Sequence, residues 1–317
     1  MGRRDYGPRA PKPYDFVEIE PLGPDDRQHP AGHERYQPGT VSGRLEATLI
    51  VATPLHVSSG RVRMRTGKQP PLVREITRVN GQPCVPASTL KGVVRSVVEA
   101  ITRSCVRITR VRTGQLPRGA ASCRDKDNLC LACRMFGAMG FEGHVRFGDA
   151  VLDEGNVSIA RMPALYAPRT RTRTYFSGSE VKGRKFYKHG RPVIQSNTPV
   201  EVLTPKSRLK ITIRFQNIAS PELGVLLTAL GLGDPQIVLK LGGGKPVCYG
   251  SAIVRLDALH VWSNPQRLYA GYDSPYVSQS PDNYLRAAAD VLLASQLQHL
   301  AEIWKYNDSR QCPEGNY

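Results

Sequence analysis

Residues 123–150 read CRDKDNLCLACRMFGAMGFEGHVRFGDA, a knuckle of soft ligands joined directly to a strand. Cys123, Cys130 and Cys133 stand in a C-x6-C-x2-C spacing, and the end of the stretch, from His144 to Leu152, alternates as a half-buried strand does. Tetrahedral zinc takes four soft ligands, and the C-x2-C pair has the geometry to begin such a site. Cys105, which follows a predicted helix, is the expected fourth ligand, with His144 as the alternative. Four protein ligands leave no open position, so a zinc ion held here would be structural. The cysteine count is 7, an odd number, and the N-terminus MGRRDYGPRAPKPYDF lacks the apolar core of a signal peptide. Metal ligands and isolated buried thiols in a cytoplasmic protein are expected, not a disulfide framework.

Upstream, Cys84-Val85-Pro86-Ala87-Ser88-Thr89-Leu90-Lys91-Gly92-Val93-Val94-Arg95 opens a helix over 88–103, with Ser88 as N-cap. A helix N-terminus with small residues and a lysine suits a backbone phosphate, and Lys91 and Arg95 are placed on its surface. Before it, Arg44–Val51 reads as a strand, followed by a basic loop. Arg61, Arg63 and Arg65 alternate there, so an extended segment would present them on one side. Residues 1–40, rich in Pro, Gly and charge, read as a flexible arm that buries little apolar surface of its own.

Downstream, residues 160–192 form a basic excursion. Arg169, Arg171 and Arg173 alternate with Thr, and Tyr175, Phe176, Phe186 and Tyr187 interleave with Lys182, Arg184, Lys185 and Lys188. Basic grooves interrupted by aromatic platforms hold single-stranded nucleic acid without sequence preference. Strands at Val200–Leu203, Leu209–Phe215 and Ser251–Leu256 are predicted, with a helix from Pro221 to Leu230 and a last helix from Tyr284 to about Trp304. The tail NDSRQCPEGNY reads as unstructured. Gly242-Gly243-Gly244-Lys245 opens a glycine-rich loop, but Pro246 follows the lysine, so the GxxxxGK[ST] pattern of nucleotide hydrolases is not met. Close approach to an RNA phosphate or base is the reading given to these four residues.

Forty-four Lys and Arg against 27 Asp and Glu give a net charge of +17 and a pI near 9.8. Such a chain attracts polyanions in a salt-dependent way, and arginine dominates its clusters. No apolar run approaches the roughly 20 residues that span a bilayer, and no basic amphipathic helix suggests a membrane surface.

Three of these segments carry a resemblance. Val85–Arg95 resembles the (I/V)PGSSLKGxxR motif of the CRISPR-associated RAMP superfamily. Cys130–Gly137 with Gly143–Ala150 is similar to that family's CxxCRLFG…GxxRFxDA, and Gly242–Gly250 resembles its C-terminal glycine-rich loop. Residues 183–189 resemble backbone subunits of the type III-D and related branches. The resemblance implies an α+β fold: a modified RRM-like (ferredoxin-like) palm over 41–260, with a zinc-bearing insertion over about 103–143. A basic thumb hairpin over about 161–200, and a C-terminal helix and tail over 261–317 packed on the palm, complete the expected organisation. It further implies a Cas-seven-like subunit that stacks with its own copies along crRNA and meets target RNA or DNA beside other effector subunits. Relatives that cut their target carry an acid before the first motif; Gln69 takes that position here, and residues 52–74 hold no Asp or Glu. A non-slicing subunit is therefore expected, as in a type VII-like complex with its separate nuclease, with Glu75 the nearest catalytic candidate. A metal-dependent endoribonuclease of the same fold, using Glu75 or Asp149, and a single-copy capping or handle-binding subunit are the alternatives.

Overall fold

A computed structural model describes residues 12–107, 109, 111–163, 165, 173–193, 198–262 and 276–312; of Arg173 it describes the backbone alone. Its centre is one antiparallel sheet whose four principal members alternate in polarity. Ser251–Trp262 pairs with Val41–Val51, which pairs with Arg208–Ile218, which pairs with Val145–Phe147 and Ala150–Glu154. The helix Ala87–Ile101 lies between the first and second of these strands in the chain, and Ser220–Ala229 between the third and fourth. This βαββαβ order, with the last strand beside the first, is ferredoxin-like and agrees with the α+β expectation.

Alternation decides which face is covered. Leu209, Ile211, Ile213 and Phe215 of one strand, and Leu45, Ala47, Leu49 and Val51 of its neighbour, are buried in one core with Leu90, Val94, Leu223 and Leu226 of the two helices. The residues between them, Arg208, Lys210, Arg214 and Arg44 among them, face away from the helices. A second, smaller sheet runs in the order Val157–Met162, Thr198–Leu203, Leu72–Ile76, Ser58–Met64. The stretch expected to be a basic loop is thus an exposed edge strand. A small apolar cluster of Met162, Val200, Val202 and Tyr249 fastens this sheet to the glycine-rich loop.

Several expectations are corrected. Residues 12–40 are laid along the body of the same chain. Val17, Ile19 and Leu22 are buried, Tyr14–Val17 pairs with Arg184–Tyr187, and Arg27–Gln28 pairs with Leu129–Cys130. Their apolar residues are too few to form a core alone, but enough to complete one already formed. The last helix is two, Asp282–Ala287 and Ala294–Ile303. Gly224 lets the first pack against Ser220–Ala229, since a Cβ there would stand 1.9 Å from Tyr284 O. Leu293 N donates to Ile101 O (2.8 Å) and turns the second onto a different neighbour. In the tail, Cys312 forms a disulfide with Cys248, so the expectation of free thiols fails for this pair. Only distant folding brings these two together, 64 residues apart; Cys84 remains a buried free thiol.

Candidate nucleic-acid groove and metal centre

The helix Ala87–Ile101 begins one residue before the expected Ser88, because Pro86 takes the cap position with extended backbone. No side chain of its own sequence caps it. Asp149 Oδ1 accepts from Ala87 N instead (2.7 Å), so one segment of the RFGDA motif holds the start of the VPASTLKG segment. The positive end of the helix is thereby partly satisfied from a neighbouring strand.

Beside this helix start lies a groove of about 400 Å³ lined by Ser88, Thr89, Gly92 and Ser96 on one wall and Gly242, Gly243 and Lys245 on the other. Helical spacing explains the first wall, because residues 88, 92 and 96 stack four apart on one face. Lys91 lies off that face, half-buried, where burial first and Arg95, Arg107 and Arg146 next lower its affinity for a proton. The opposite wall is held from beneath. Gly242 has φ +68° and its Cβ would meet His56 O at 2.3 Å, while Gly243 N donates to that same carbonyl (2.8 Å). At Gly92 an added Cβ meets nothing within 4 Å, so the bare backbone there is open to the groove and not demanded by packing. The loop amides of Gly243, Val247, Cys248 and Tyr249 are spent on internal bonds, contrary to the idea of a fully accessible amide cradle. Lys245, whose ammonium burial holds below the ordinary lysine range, brings the positive charge to this wall.

Behind the loop, Lys240 is buried with its Nζ donating to Ser251 Oγ (3.1 Å). His189 bridges Ser251 Oγ and Val238 O through its two ring nitrogens, at 2.8 and 2.9 Å. Burial, and then Lys245 and Arg310, hold Lys240 down to about 7. A folded-state lysine with a depressed proton affinity costs stability while the unfolded chain stays protonated. That penalty is present in full below about pH 7 and disappears as pH rises through the unfolded value near 10.4. Lys240→Met should therefore raise the melting temperature at pH 6, with the gain shrinking toward pH 10; thermal unfolding across that range checks it, and a gain independent of pH would refute the assignment.

The four cysteines meet as a cluster. The Sγ atoms of Cys105, Cys123, Cys130 and Cys133 all lie within 4.8 Å of one another, and all four residues are buried. Cys105 Sγ is 3.4 Å from Cys133 Sγ and 3.6 Å from Cys130 Sγ. Tetrahedral coordination at about 2.3 Å per zinc–sulfur bond implies edges near 3.8 Å, so the donor set fits a metal ion. Hydrogen bonding to the other three sulfurs pulls the Cys123 thiol far below its ordinary range and pushes Cys105 far above it. Four sulfurs so close cannot all ionise unless a cation joins them. His144, the alternative ligand, packs instead against the His33 ring with centroids 4.4 Å apart.

Outer donors surround the sulfurs. Cys105 N and Cys130 N point at Cys130 Sγ and Cys123 Sγ (3.4 and 3.5 Å), and Arg95 Nη2 donates to Cys133 Sγ (3.3 Å). Arg95 is buried, with further bonds to Glu99 Oε1 (2.6 Å) and Gly137 O (2.7 Å). It ties the helix to the knuckle and does not face the groove, which corrects its assignment to RNA.

The remaining expected contacts divide. Arg61 is exposed and Arg65 half-exposed on the edge segment; Arg63 is exposed too, but its guanidinium is already ion-paired with Glu75 (3.3 Å) and with buried Glu201. Glu75 is thus spent on Arg63, and Asp149 on the helix start. Among the described residues the four cysteines are the only cluster of three or more metal-binding side chains. Arg171 and the side chain of Arg173 lie outside the described residues. Phe176 is half-buried in a short hairpin. Phe186 is a core residue against Trp304, its ring centroid 5.1 Å away, and so cannot serve as a base platform. Arg184 pairs with Glu99 (2.6 Å) and donates to Ser96 Oγ (3.0 Å). Lys185 Nζ sits over the rings of Tyr14, Tyr187 and Tyr175, at 4.1, 4.6 and 5.2 Å. The basic and aromatic residues of this segment therefore satisfy one another and the N-terminal strand. Charge interleaved with aromatics is the same sequence signal in either case, and nothing local separates the two.

The family model described as RAMPs, RAMP superfamily, matches residues 48–253, close to two thirds of the chain. No curated protein matches it. Among the described residues no helix is long and apolar enough to cross a membrane.

Proposed function

The chain belongs to the RAMP superfamily, whose members bind RNA and act in CRISPR complexes, and from that premise we propose that it is a crRNA-binding backbone subunit of a multisubunit effector. The guide would run along the groove between Ser88–Ser96 and Gly242–Lys245, and further copies of the chain would continue the track. What carries this reading is the groove itself. It brings together two segments about 150 residues apart, and both present small side chains and backbone. Such walls grip a phosphate backbone without reading bases. A type III-D or type VII-like complex, zinc in the four-cysteine cluster, contact with the guide–target duplex and service by a separate nuclease belong to the same proposal. Glu75 and Asp149, the carboxylates a slicing subunit would draw on, are engaged in the bonds described above, which favours a subunit that holds RNA over one that cuts it.

Gly92→Glu tests the groove. Because an added Cβ there meets nothing, and glycine costs a helix interior about 1 kcal/mol, the variant should fold at least as stably as the parent. A carboxylate about 4 Å from a bound phosphate costs between about 1 and 4 kcal/mol, so RNA affinity should fall by about fivefold or more. Fluorescence anisotropy with a labelled guide-length RNA measures it; undiminished affinity at 0.1 M salt would remove the groove from the RNA path.

A further inference from the structure

The face of the central sheet turned away from the helices carries an arrangement that the groove does not use. Arg146, Arg214 and Arg44 occupy one rung across three adjacent strands, since Arg214 pairs in register with both of the others. Like charges directly opposite destabilise a sheet, so such a rung needs counter-ions. Glu142 serves Arg146 (3.0 Å) and Glu46 serves Arg44 (3.0 Å). Arg214, exposed between them, has no carboxylate partner among the described residues. The rung of Lys210, Thr48 and Arg255 differs, because Asp257 takes Thr48 Oγ1 (2.5 Å), Lys210 (3.3 Å) and Arg255 (3.4 Å), so that each of its cations touches a carboxylate.

Beside the arginine rung is a cavity of about 210 Å³, with Arg146, Arg214 and the rings of Tyr36, Trp262 and Tyr276 in its lining. Tyr36 and Tyr276 flank Trp262, at centroid distances of 4.9 and 5.9 Å. Trp262 Nε1–H finds no acceptor among the described residues. The space is smaller than the roughly 300 Å³ at which pockets for drug-sized ligands begin, and its lining joins the two arginines and the Trp262 donor to His33, His144 and Gln216, which can also accept. An anion joined to a flat ring that both donates and accepts matches the arginines, the aromatic rings and the mixed polar groups together. We propose that this face holds one nucleotide of single-stranded RNA, its base against Trp262 and Tyr276 and its phosphate on Arg214 and Arg146. The site goes beyond the groove reading, and either can fail alone because they lie on different faces.

Trp262 reports on its own site, since the chain has only one other tryptophan, Trp304. In full-length protein carrying Trp304→Phe, uridine 5′-monophosphate, too short to reach the groove as well, should quench the remaining emission to saturation. Arg214→Gln should weaken that quench about tenfold. It should also flatten the log–log salt dependence of decauridylate binding by about 0.7, the slope of one phosphate contact on a single strand. Gly92→Glu should leave the mononucleotide quench unchanged. Absence of quenching, or a midpoint that ignores Arg214→Gln, overturns the site, as it would if a protein segment were the true occupant. Should Trp304→Phe fail to fold, photocrosslinking of 4-thiouridine decamer to the parent protein decides. Adducts on the peptide containing Trp262 or Tyr276 that are lost in Arg214→Gln support the proposal; adducts confined elsewhere overturn it.

Discussion

Cys130→Ser should release the metal and lower the melting temperature by roughly 10 °C or more, with the same loss produced in the parent protein by a strong chelator. The magnitude follows from the sulfur geometry. Two thiolates about 3.5 Å apart repel by about 5 kcal/mol even at an effective dielectric of about 20, and the cluster holds four sulfurs at such spacings. A dication held by Cys105, Cys123, Cys130 and Cys133 would remove that repulsion and would cross-link the segment after the helix Ala87–Ile101 to the segment 123–133. Metal binding at a site of this kind is folding free energy. Zinc content by elemental mass spectrometry, about one ion per chain, and unfolding with and without chelator are the measurements. Metal-free protein whose melting temperature is indifferent to chelator would mean that the four cysteines are only packed thiols.

How much of this was legible beforehand depends on how local each signal is. The strand alternation of Leu209–Phe215 and the helical spacing of Leu90, Val94, Val97 and Val98 are local, and the elements appear where periodicity places them, with ends moved by a few residues. The cysteine spacing was equally direct, and Cys105 joins the other three because the helix ends beside the knuckle. What was not legible is where charge goes. Arg95 reads as a surface cation four residues from Lys91, yet it is buried, since Glu99, Gly137 and Cys133 together satisfy its guanidinium. Phe186 and Lys185 read as RNA contacts because their partners, Trp304 and Tyr14, lie far away in sequence. The open-face arginine rung was invisible for the same reason: Arg44, Arg146 and Arg214 are unremarkable until strand register aligns them.

The same register of long-range charge gives the second large effect. Glu99→Ala should cost roughly 3–5 kcal/mol. Glu99 is buried, and its two oxygens meet two different arginines: Arg95 at 2.6 Å and Arg184 at 2.6 Å. Beyond Arg95 lie Cys133 Sγ and Gly137 O of the knuckle; beyond Arg184 lies the strand that pairs with Tyr14–Val17. One carboxylate thus sits in a chain of contacts running from the cysteine cluster through the helix to the N-terminal strand. Removing it leaves two guanidiniums buried or nearly so, without an anion, and that desolvation, more than the loss of any attraction, sets the cost. The distinction can be measured. If stranded charge is the cause, Glu99→Leu combined with Arg184→Met should be less damaging than Glu99→Leu alone, because one orphaned cation is gone. Denaturant unfolding of the two single variants and the double gives the coupling. Additive losses would mean that Glu99 acts through packing alone and that no such charge chain links the knuckle to the N-terminal strand.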